Sequence, residues 1–217
     1  MPQLKKQHVE HAIVDAARRR FAEHGVKGSP LAGIAADAGT SIGNLYKYFS
    51  DKDALFVAAI PPTLTQELRV LLREQVEALG TARDVTSLPE EHPYWRAAAR
   101  TRAFSIQHRF ELLFLLRHGD GARPGSFRDD VAADLTRLAV RYATQVYPEL
   151  VFTPATRRGL RRIYQSYVGS FAEVLAEEQS PRGLAEATRT LSAYHLAGLR
   201  AFFTAAVAAA SSTKENP

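Results

Sequence analysis

Residues 29–55 read SPLAGIAADAGTSIGNLYKYFSDKDAL, and this stretch decides the fold. It divides into a short apolar helix, a break at Gly39, a second short helix that ends in aromatic residues, and the start of a third helix. Gly39 can adopt the left-handed conformation that ends a helix. Two short helices joined by such a turn are typical of a helix-turn-helix, which places its second helix in the major groove of DNA.

Hydroxyl residues and a proline indicate where the three helices begin. Ser29 predicts the N-cap of the first helix, and Pro30 fits the first helical position, where its missing N–H is not needed. Ser41 predicts the N-cap of the second helix. Ser50 predicts the N-cap of the third, whose first turn then carries Asp51, where the helix dipole favours negative charge.

The second helix has few large apolar residues, so it cannot be buried on every side. Its apolar residues Ile42 and Leu45 alternate with small, polar and aromatic ones. Gly43 costs helix stability, roughly 1 kcal/mol against Ala. A bare backbone at this position lets a neighbouring surface approach closely.

The ordered residues of this region resemble the TetR-type transcriptional regulators. The match is the string Ile34-Ala35-x-x-Ala38-Gly39-x-Ser41-x-Gly43-x-Leu45-Tyr46-x-Tyr48-Phe49-x-x-Lys52-x-x-Leu55, extended upstream to Ile13, Ala16, Phe21, Gly25 and Ser29. Three positions depart from the family pattern. Pro30 stands where a hydroxyl residue usually reaches a phosphate, Gly33 where a polar residue is common, and Thr40 where a Val is common.

The resemblance implies that the second helix reads DNA. Asn44 is the best candidate for a base edge, because its amide can donate and accept together to adenine. Lys47 and Lys52 are expected to contact phosphates. The full set of residues expected at the DNA is Ser29, Ser41, Gly43, Asn44, Tyr46, Lys47, Tyr48 and Lys52.

The composition agrees with a polyanion-binding protein, although many other proteins are mildly basic. The 217 residues carry a net charge of +5 and give a pI near 9.6. The chain has no cysteine, which excludes disulfides and thiolate chemistry. The N-terminus lacks the apolar run of a signal peptide, and no segment has ~18 uninterrupted apolar residues. We therefore expect a cytoplasmic protein that does not bind a membrane.

Helical periodicity continues along the rest of the chain, without the alternation that is typical of strands. Pro61-Pro62 must stop or kink the third helix, so we place a domain boundary there. The sequence predicts an all-α protein: an N-terminal three-helix helix-turn-helix domain, residues 1–60, and a larger helical ligand-binding and dimerisation domain, residues 61–217. Helices of the larger domain are expected at 63–79, 94–118, 127–147, 155–178 and 182–210.

The chain lacks the patterns on which common catalytic and metal sites depend. There is no G-x-x-x-x-G-K, G-x-S-x-G or G-x-G-x-x-G motif. His108, His118 and His195 are isolated in sequence, whereas a metal site needs ligands at fixed spacing. We expect no enzyme activity, no metal and no cofactor, and histidines that are solvated or satisfied locally.

Aromatic residues recur on successive helices of the larger domain. They are Phe104, His108, Phe110, Phe114, Tyr142, Tyr164, Tyr167 and Phe171. One interpretation is an ordinary helical core. The other, which follows from the resemblance, is a pocket for a small-molecule effector, since sites between bundle helices are mostly apolar with a few polar groups. Phe104, His108 and Phe114 are the first choice, because their segment is too apolar to be exposed yet carries a ring nitrogen and several arginines.

The last two helices offer a surface for a homodimer. Residues 182–210 carry small residues at helical spacing, which allows close helix approach. A helix-turn-helix protein that reads two half-sites needs two-fold symmetry. Intramolecular packing is the alternative for this face. Four arginines at the start of residues 155–178 are expected to form a solvated face rather than a second DNA patch: Arg157, Arg158, Arg161 and Arg162.

Two hypotheses of different classes follow from the sequence. The first is a ligand-responsive repressor that forms a homodimer on a double-stranded DNA operator and is released by a small apolar or aromatic effector. The second is a helical protein-interaction module that does not bind DNA. Duplex binding with a steep salt dependence discriminates between them, because phosphate contacts release counterions.

Overall fold

The computed structural model describes the backbone of residues 2–119 and 126–214, and the side chains of residues 6–119 and 126–208. Within these ranges the chain forms α-helices and no strand, as predicted. In chain order the helices are α1 (Pro2–His24), α2 (Leu31–Asp37), α3 (Ile42–Leu45), α4 (Lys52–Ala59), α5 (Thr63–Glu77), α6 (Pro93–Gln107), α7 (Arg109–His118), α8 (Ser126–Val146), α9 (Pro154–Glu177) and α10 (Pro181–Lys214).

The single helix predicted for residues 94–118 is wrong. The chain leaves the helical conformation at His108, where φ is −108° and ψ is 34°, so α6 ends at Gln107 and α7 begins at Arg109. Neither Pro nor Gly lies in this segment, and the sequence therefore carries no local signal for the break.

The chain divides into two compact units. The first comprises Met1–Gln66 with His108–Ser126, and the second comprises Glu67–Gln107 with Phe127–Pro217. The unit boundary lies inside α5, and α7 belongs with the first four helices rather than with α6. The assignment of separate functions to residues 1–60 and 61–217 stays a prediction.

The core of the first unit lies between α1, α4 and α7. Phe21, Phe56 and Phe114 meet there, with ring centroids 5.8 Å apart for Phe21 and Phe56 and 5.4 Å apart for Phe56 and Phe114. Both pairs adopt the edge-to-face arrangement that aromatic rings prefer. Ile13 and Leu55 are fully buried in the same unit. These rings hold the scaffold that supports α2 and α3.

A buried carboxylate ties α7 to α1 in the first unit. Glu111 is 3% exposed, and its Oε1 lies 3.2 Å from the Arg18 Nε and 3.3 Å from the His108 Nδ1. Arg18 Nε also donates to the Ala59 carbonyl oxygen at the end of α4. A buried charge requires such partners, so these contacts fix α7 against the two helices that flank the helix-turn-helix.

The second unit is built around α9 and α10. Leu160, Leu175 and Leu184 are almost fully buried. The loop between α5 and α6 is held by hydroxyls on α8 and the residue after it: Tyr142 donates to the Ala82 carbonyl and Tyr147 to the Arg83 carbonyl. These bonds tie the loop to the end of α8.

One segment of the described chain, Lys52–Glu77, has the length and mean hydropathy (1.2) that a membrane span requires. It is not one continuous helix. α4 has 8 residues and α5 has 15, and Ile60, Pro61 and Pro62 separate them. A span needs about 20 continuous helical residues, and neither helix reaches that length.

Candidate nucleic-acid interface

The turn between α2 and α3 has the geometry that the sequence predicts. Gly39 has φ of +66°, in the left-handed region. Its N–H donates to the Ala36 carbonyl at 3.0 Å, and the Thr40 N–H donates to the Ala35 carbonyl at 2.9 Å. This pair of bonds defines a Schellman motif, which satisfies the last carbonyls of α2. The turn thereby fixes the direction in which α3 leaves.

The α3 helix is short, capped and anchored on one side. Ser41 is its N-cap, and its hydroxyl accepts from the Asn44 N–H at 3.1 Å, as predicted. Leu45 is fully buried and holds the helix to the unit. On the other side, Ile42 is 43% exposed and Tyr46 is 51% exposed, and Lys47 is exposed between Tyr46 and the half-buried Tyr48. The helix and the turn after it thus present to solvent a mixed face of apolar, polar and aromatic side chains.

Gly43 is open on this face. Apart from its chain neighbours and the backbone of its own helix, no atom of the described chain lies within 4 Å of the position that a Cβ would occupy. Gly43 is therefore not needed for packing inside the protein. Its absent side chain instead leaves bare backbone at the surface, where another molecule can approach closely.

Asn44 is held by the turn that precedes it. Its side-chain Nδ2 donates to the Thr40 Oγ1 at 2.8 Å. An amide group has two N–H donors and one carbonyl acceptor. One donor and the carbonyl oxygen therefore remain for an external partner, which is the pair that adenine requires.

Two of the predicted cap residues are wrong. The N-cap of α2 is Pro30, which has no side-chain cap. Ser29 is fully buried, and its hydroxyl donates to the carbonyls of Gly25 at 2.8 Å and Arg20 at 3.0 Å. The N-cap of α4 is Asp51 rather than Ser50, and its carboxylate accepts from the Ala54 N–H at 2.7 Å. That bond lowers the pKa of Asp51. A buried Ser29 cannot offer its side chain to DNA, so we remove it from the contact set.

Gly33, which departs from the family pattern, makes room for an ion pair. A Cβ at this position would lie 2.7 Å from an Arg20 guanidinium nitrogen. Arg20 crosses α2 there and donates from Nε to the Asp37 carboxylate at 2.5 Å. The hydrogen bond raises the pKa of Arg20 and lowers that of Asp37. This pair joins α1 to the end of α2.

Sequence reasoning missed two residues of this surface. In the sequence Thr40 stands out only as a departure from the family pattern, and its role as the acceptor for Asn44 depends on the conformation of the turn. The apolar character of Ile42 predicts a buried side chain, yet nearly half of its surface is exposed. A large exposed apolar side chain beside an N-cap is the signal that could have placed it on the outer face.

The aromatic residues predicted to bind an effector are divided between the two units. Phe114 belongs to the first unit and is 3% exposed in its core. His108 lies at the break before α7, and Phe110 is half-buried under the Arg109 guanidinium. The remaining predicted rings are in the second unit: Phe104, Tyr142, Tyr164, Tyr167 and Phe171. The structure therefore does not gather the eight residues in one unit.

Two of these tyrosines form a cluster with His195, for which the prediction of a solvated or locally satisfied ring is wrong. His195 on α10 stacks on Tyr167, with centroids 4.1 Å apart, and meets Tyr164 edge-on at 5.0 Å. The Tyr167 hydroxyl lies 3.3 Å from the Ser192 hydroxyl. His195 Nε2 is buried and has no hydrogen-bond partner among the described residues. Burial lowers the pKa of His195 to about 4, so the ring is neutral near pH 7.

The small-residue face of α10 is partly buried within its own unit. Leu184 is 1% exposed and packs inside the second unit. Further along, Tyr194 is 79% exposed, and Ala197, Gly198 and Ala201 are exposed. Leu184 therefore packs within its own unit, whereas exposed residues continue along α10 from Glu186 through Thr190 and Tyr194 to Ala201, and the choice between intramolecular packing and a dimer contact stays open.

Known proteins share both the helix-turn-helix and much of the remaining chain. The sequence model of the bacterial regulatory proteins, tetR family, matches residues 13–59. The HTH-type transcriptional repressor AcnR of Corynebacterium diphtheriae is 32% identical over 139 residues, which cover 57% of this chain and 70% of that protein. The protein of the same name from Corynebacterium efficiens is 26% identical over 166 residues, covering 70% and 86%.

A solved TetR-family regulator from Streptomyces coelicolor aligns over 91% of this chain and 96% of its own, with 16% identity and a TM-score of 0.37. The family match and the extent of the similarity to AcnR are decisive. The chain belongs to the TetR family of helix-turn-helix transcriptional regulators. It is a DNA-binding regulator, and both of these AcnR relatives are named as transcriptional repressors.

Proposed function

We propose that this protein is a cytoplasmic repressor that binds its operator as a homodimer through α3 and is released by a small-molecule effector. The observation that carries the proposal is the outer face formed by α3 and the turn that follows it. This face combines a fixed amide at Asn44 and open backbone at Gly43 on the helix with an exposed ammonium group at Lys47 in the turn. Such a face supplies base contacts, close approach and phosphate contacts together.

The proposed contact set follows from this face. It comprises Ser41, Ile42, Gly43, Asn44, Tyr46, Lys47, Tyr48 and Lys52. Asn44 reads a base edge, and the exposed Ile42 side chain suits a thymine methyl group. Lys47 and Lys52 neutralise phosphates, which orients the helix in the groove.

The effector site that we propose is centred on His195, Tyr164 and Tyr167. A buried ring nitrogen without a partner costs about 1–3 kcal/mol, and a ligand that supplies the missing hydrogen bond removes this cost. The neutral imidazole and the tyrosine rings favour a small, flat and uncharged molecule. Because Tyr167 and Ser192 already share a hydrogen bond, the ligand must compete with that bond or extend it.

An effector of this kind acts only through differential affinity. It must bind better to a conformer in which the two reading helices of the dimer no longer match half-sites about 34–36 Å apart. A tenfold preference shifts the equilibrium by about 1.4 kcal/mol. We propose that α7 transmits this change to the first unit. It follows α6 directly in sequence, and its Glu111 is paired with Arg18 of α1.

Homodimerisation through residues 155–178 and 182–210 completes the proposal. The exposed α10 face from Tyr194 onward is apolar and small, which suits close packing against a second copy. Ala201→Glu places a charge at its centre and should dissociate the dimer and abolish operator binding while helix content is retained. Sedimentation velocity and circular dichroism measure the two effects separately.

The experiment that tests the function is selection of a duplex from a random library by the full chain, followed by titration at several salt concentrations. We expect a two-fold symmetric site and an affinity that falls by roughly 10²-fold or more between 50 and 200 mM salt, as two phosphate contacts from each copy require. Failure to bind any duplex would favour the protein-interaction module instead.

A further inference from the structure

The outer strip of α9 carries opposite charges at its two ends. Its exposed residues include Arg158 and Arg162 near the start, Ser166 and Ser170 in the middle, and Glu173 and Glu177 near the end. The opposite side of the helix, with Leu160, Tyr164 and Leu175, is buried in the second unit. The strip is therefore a separate, outward-facing surface whose two halves differ in sign.

The spacing of these charges is self-complementary about a two-fold axis. The midpoint between Arg158 and Glu177 falls between Tyr167 and Val168, and the midpoint between Arg162 and Glu173 falls at the same place. In an antiparallel pair of identical helices, residues equidistant from the axis face each other. Each arginine would then face a glutamate of the second copy, with the small serines at the crossing point.

The charges also run against the dipole of the helix that carries them. A helix N-terminus favours acidic residues and a C-terminus favours basic ones. α9 has no acidic residue in its first turn and no basic residue in its last. Within the described residues, Arg158 and Arg162 form no ion pair with their own chain. The two arginines therefore gain no ion pair inside the described monomer, and an antiparallel neighbour supplies acidic residues opposite them.

The surface beside the end of α9 has a matching character. A groove of about 560 Å³ is lined by Glu178 and Glu186 together with Gly183, Leu191 and Tyr194. Antiparallel pairing brings the arginine-bearing start of the second copy's α9 to this acidic end. Glu178 and Glu186 therefore add negative charge beside this end of α9, at a groove whose lining is otherwise mostly apolar.

We propose that α9 pairs antiparallel with α9 of a second copy about an axis between Tyr167 and Val168, with Arg158 opposite the partner's Glu177 and Arg162 opposite the partner's Glu173. This inference rests on the homodimer of the proposed function and specifies its register. The four inter-subunit ion pairs select a second copy of this chain over a regulator whose helix lacks the pattern.

A charge-swap mixing experiment tests the register. The acidic variant is Arg158→Glu/Arg162→Glu, and the basic variant is Glu173→Arg/Glu177→Arg. In a dimer of either variant alone, like charges face each other across the axis. The dissociation constant of that dimer should therefore rise at least about tenfold. A mixed dimer restores all four pairs. Native mass spectrometry of the equimolar mixture should show mixed dimers well above the half that random pairing gives.

The matched control is Arg157→Glu/Arg161→Glu, which changes the net charge equally on the same turns but outside the strip. The control should dimerise like the wild type. When each is mixed with the basic variant, the control should form a smaller fraction of mixed dimers than the acidic variant forms. Circular dichroism checks folding, and recovery of dimers in the mixture shows that each variant chain is competent.

Random mixing, or an equal preference from the control variant, would overturn the register. A wild-type chain that is monomeric at micromolar concentration would overturn it as well. Titration of the wild type with duplex DNA distinguishes failure of the register from failure of the proposed function. Duplex binding together with random mixing would contradict only the register. A preference for mixed dimers without duplex binding would contradict only the DNA-binding function.

Discussion

Asn44 donates its side-chain amide to the Thr40 hydroxyl at 2.8 Å, so the central residue of α3 is held by the turn before it. The bond fixes which end of the amide faces outward. TetR-type regulators commonly have Val at the position of Thr40, and the Val side chain cannot accept a hydrogen bond. Thr40 therefore positions Asn44 without itself needing to touch a base.

Thr40→Val tests this positioning role. The substitution keeps the side-chain shape and removes the acceptor, so the Asn44 amide should become free to rotate. We expect the preference for the selected operator over a variant with one A·T pair changed to G·C to fall about fivefold, since one hydrogen bond is worth about 1 kcal/mol. Asn44→Ala should remove discrimination at that pair, which is worth about 1–3 kcal/mol. If Thr40→Val left the ratio unchanged, the bond would have no part in reading.

Lys47→Ala tests the assignment of the α3 face to DNA. Lys47 is exposed beside Tyr46, and a phosphate contact there contributes equally to every sequence. We expect weaker binding to all duplexes and a salt slope that is lower by roughly 1. Arg73→Ala, an exposed cation of the second unit, is the control and should leave the slope as it is. Equal effects of both substitutions would count against the proposed interface.

Ser29→Ala should destabilise the protein without changing its DNA contacts. The buried hydroxyl bonds the carbonyls of Gly25 and Arg20 at the end of α1. Its removal leaves them without that donor and should lower the free energy of unfolding by about 1–3 kcal/mol. Ser50→Ala, at an exposed hydroxyl, should change it by less than about 0.5 kcal/mol. Urea unfolding measures both. Reduced operator affinity of fully folded Ser29→Ala would restore Ser29 to the interface.

The predictions from sequence succeeded where the physical signal is local. Gly39 and Ser41 act through bonds to residues within five positions, so their roles follow from the adjacent sequence. Ser29 has the same local pattern as an N-cap, but the carbonyls of α1 compete for its hydroxyl, and this competition depends on the fold. His195 is isolated in sequence, and its partners Tyr164 and Tyr167 lie on another helix. The break at His108 has no composition signal at all.

Phe114→Trp distinguishes a core ring from a pocket ring. The sequence allowed both interpretations, and the structure packs Phe114 against Phe56 and near Phe21 in the first unit. A larger ring should overpack this core and lower the free energy of unfolding by about 1–3 kcal/mol. Phe114→Ala should cost about 3–5 kcal/mol. Denaturant unfolding measures both changes. A Trp variant as stable as the wild type would show spare volume beside this ring and would favour the pocket interpretation.

His195→Phe should remove a specific dependence of stability on pH. In the folded protein burial lowers the pKa of His195 to about 4, whereas an unfolded histidine titrates near 6.5. Between these values the unfolded state binds the proton and the folded state does not, so stability rises with pH across this window. The stability that depends on neutral His195 should be fully present above pH 6.5 and lost as the pH falls toward 4.

The difference of about 2.5 pKa units corresponds to roughly 3 kcal/mol. The wild type should therefore lose about that much more stability than His195→Phe between pH 7 and pH 4, because Phe keeps the stacking on Tyr167 but has no proton to gain. Urea unfolding of both proteins at several pH values measures the difference, in which contributions from all other groups cancel. If the stability of both proteins depended on pH in the same way, the His195 ring would be accessible to water in the folded protein. The proposed effector site at His195, Tyr164 and Tyr167 would then fail.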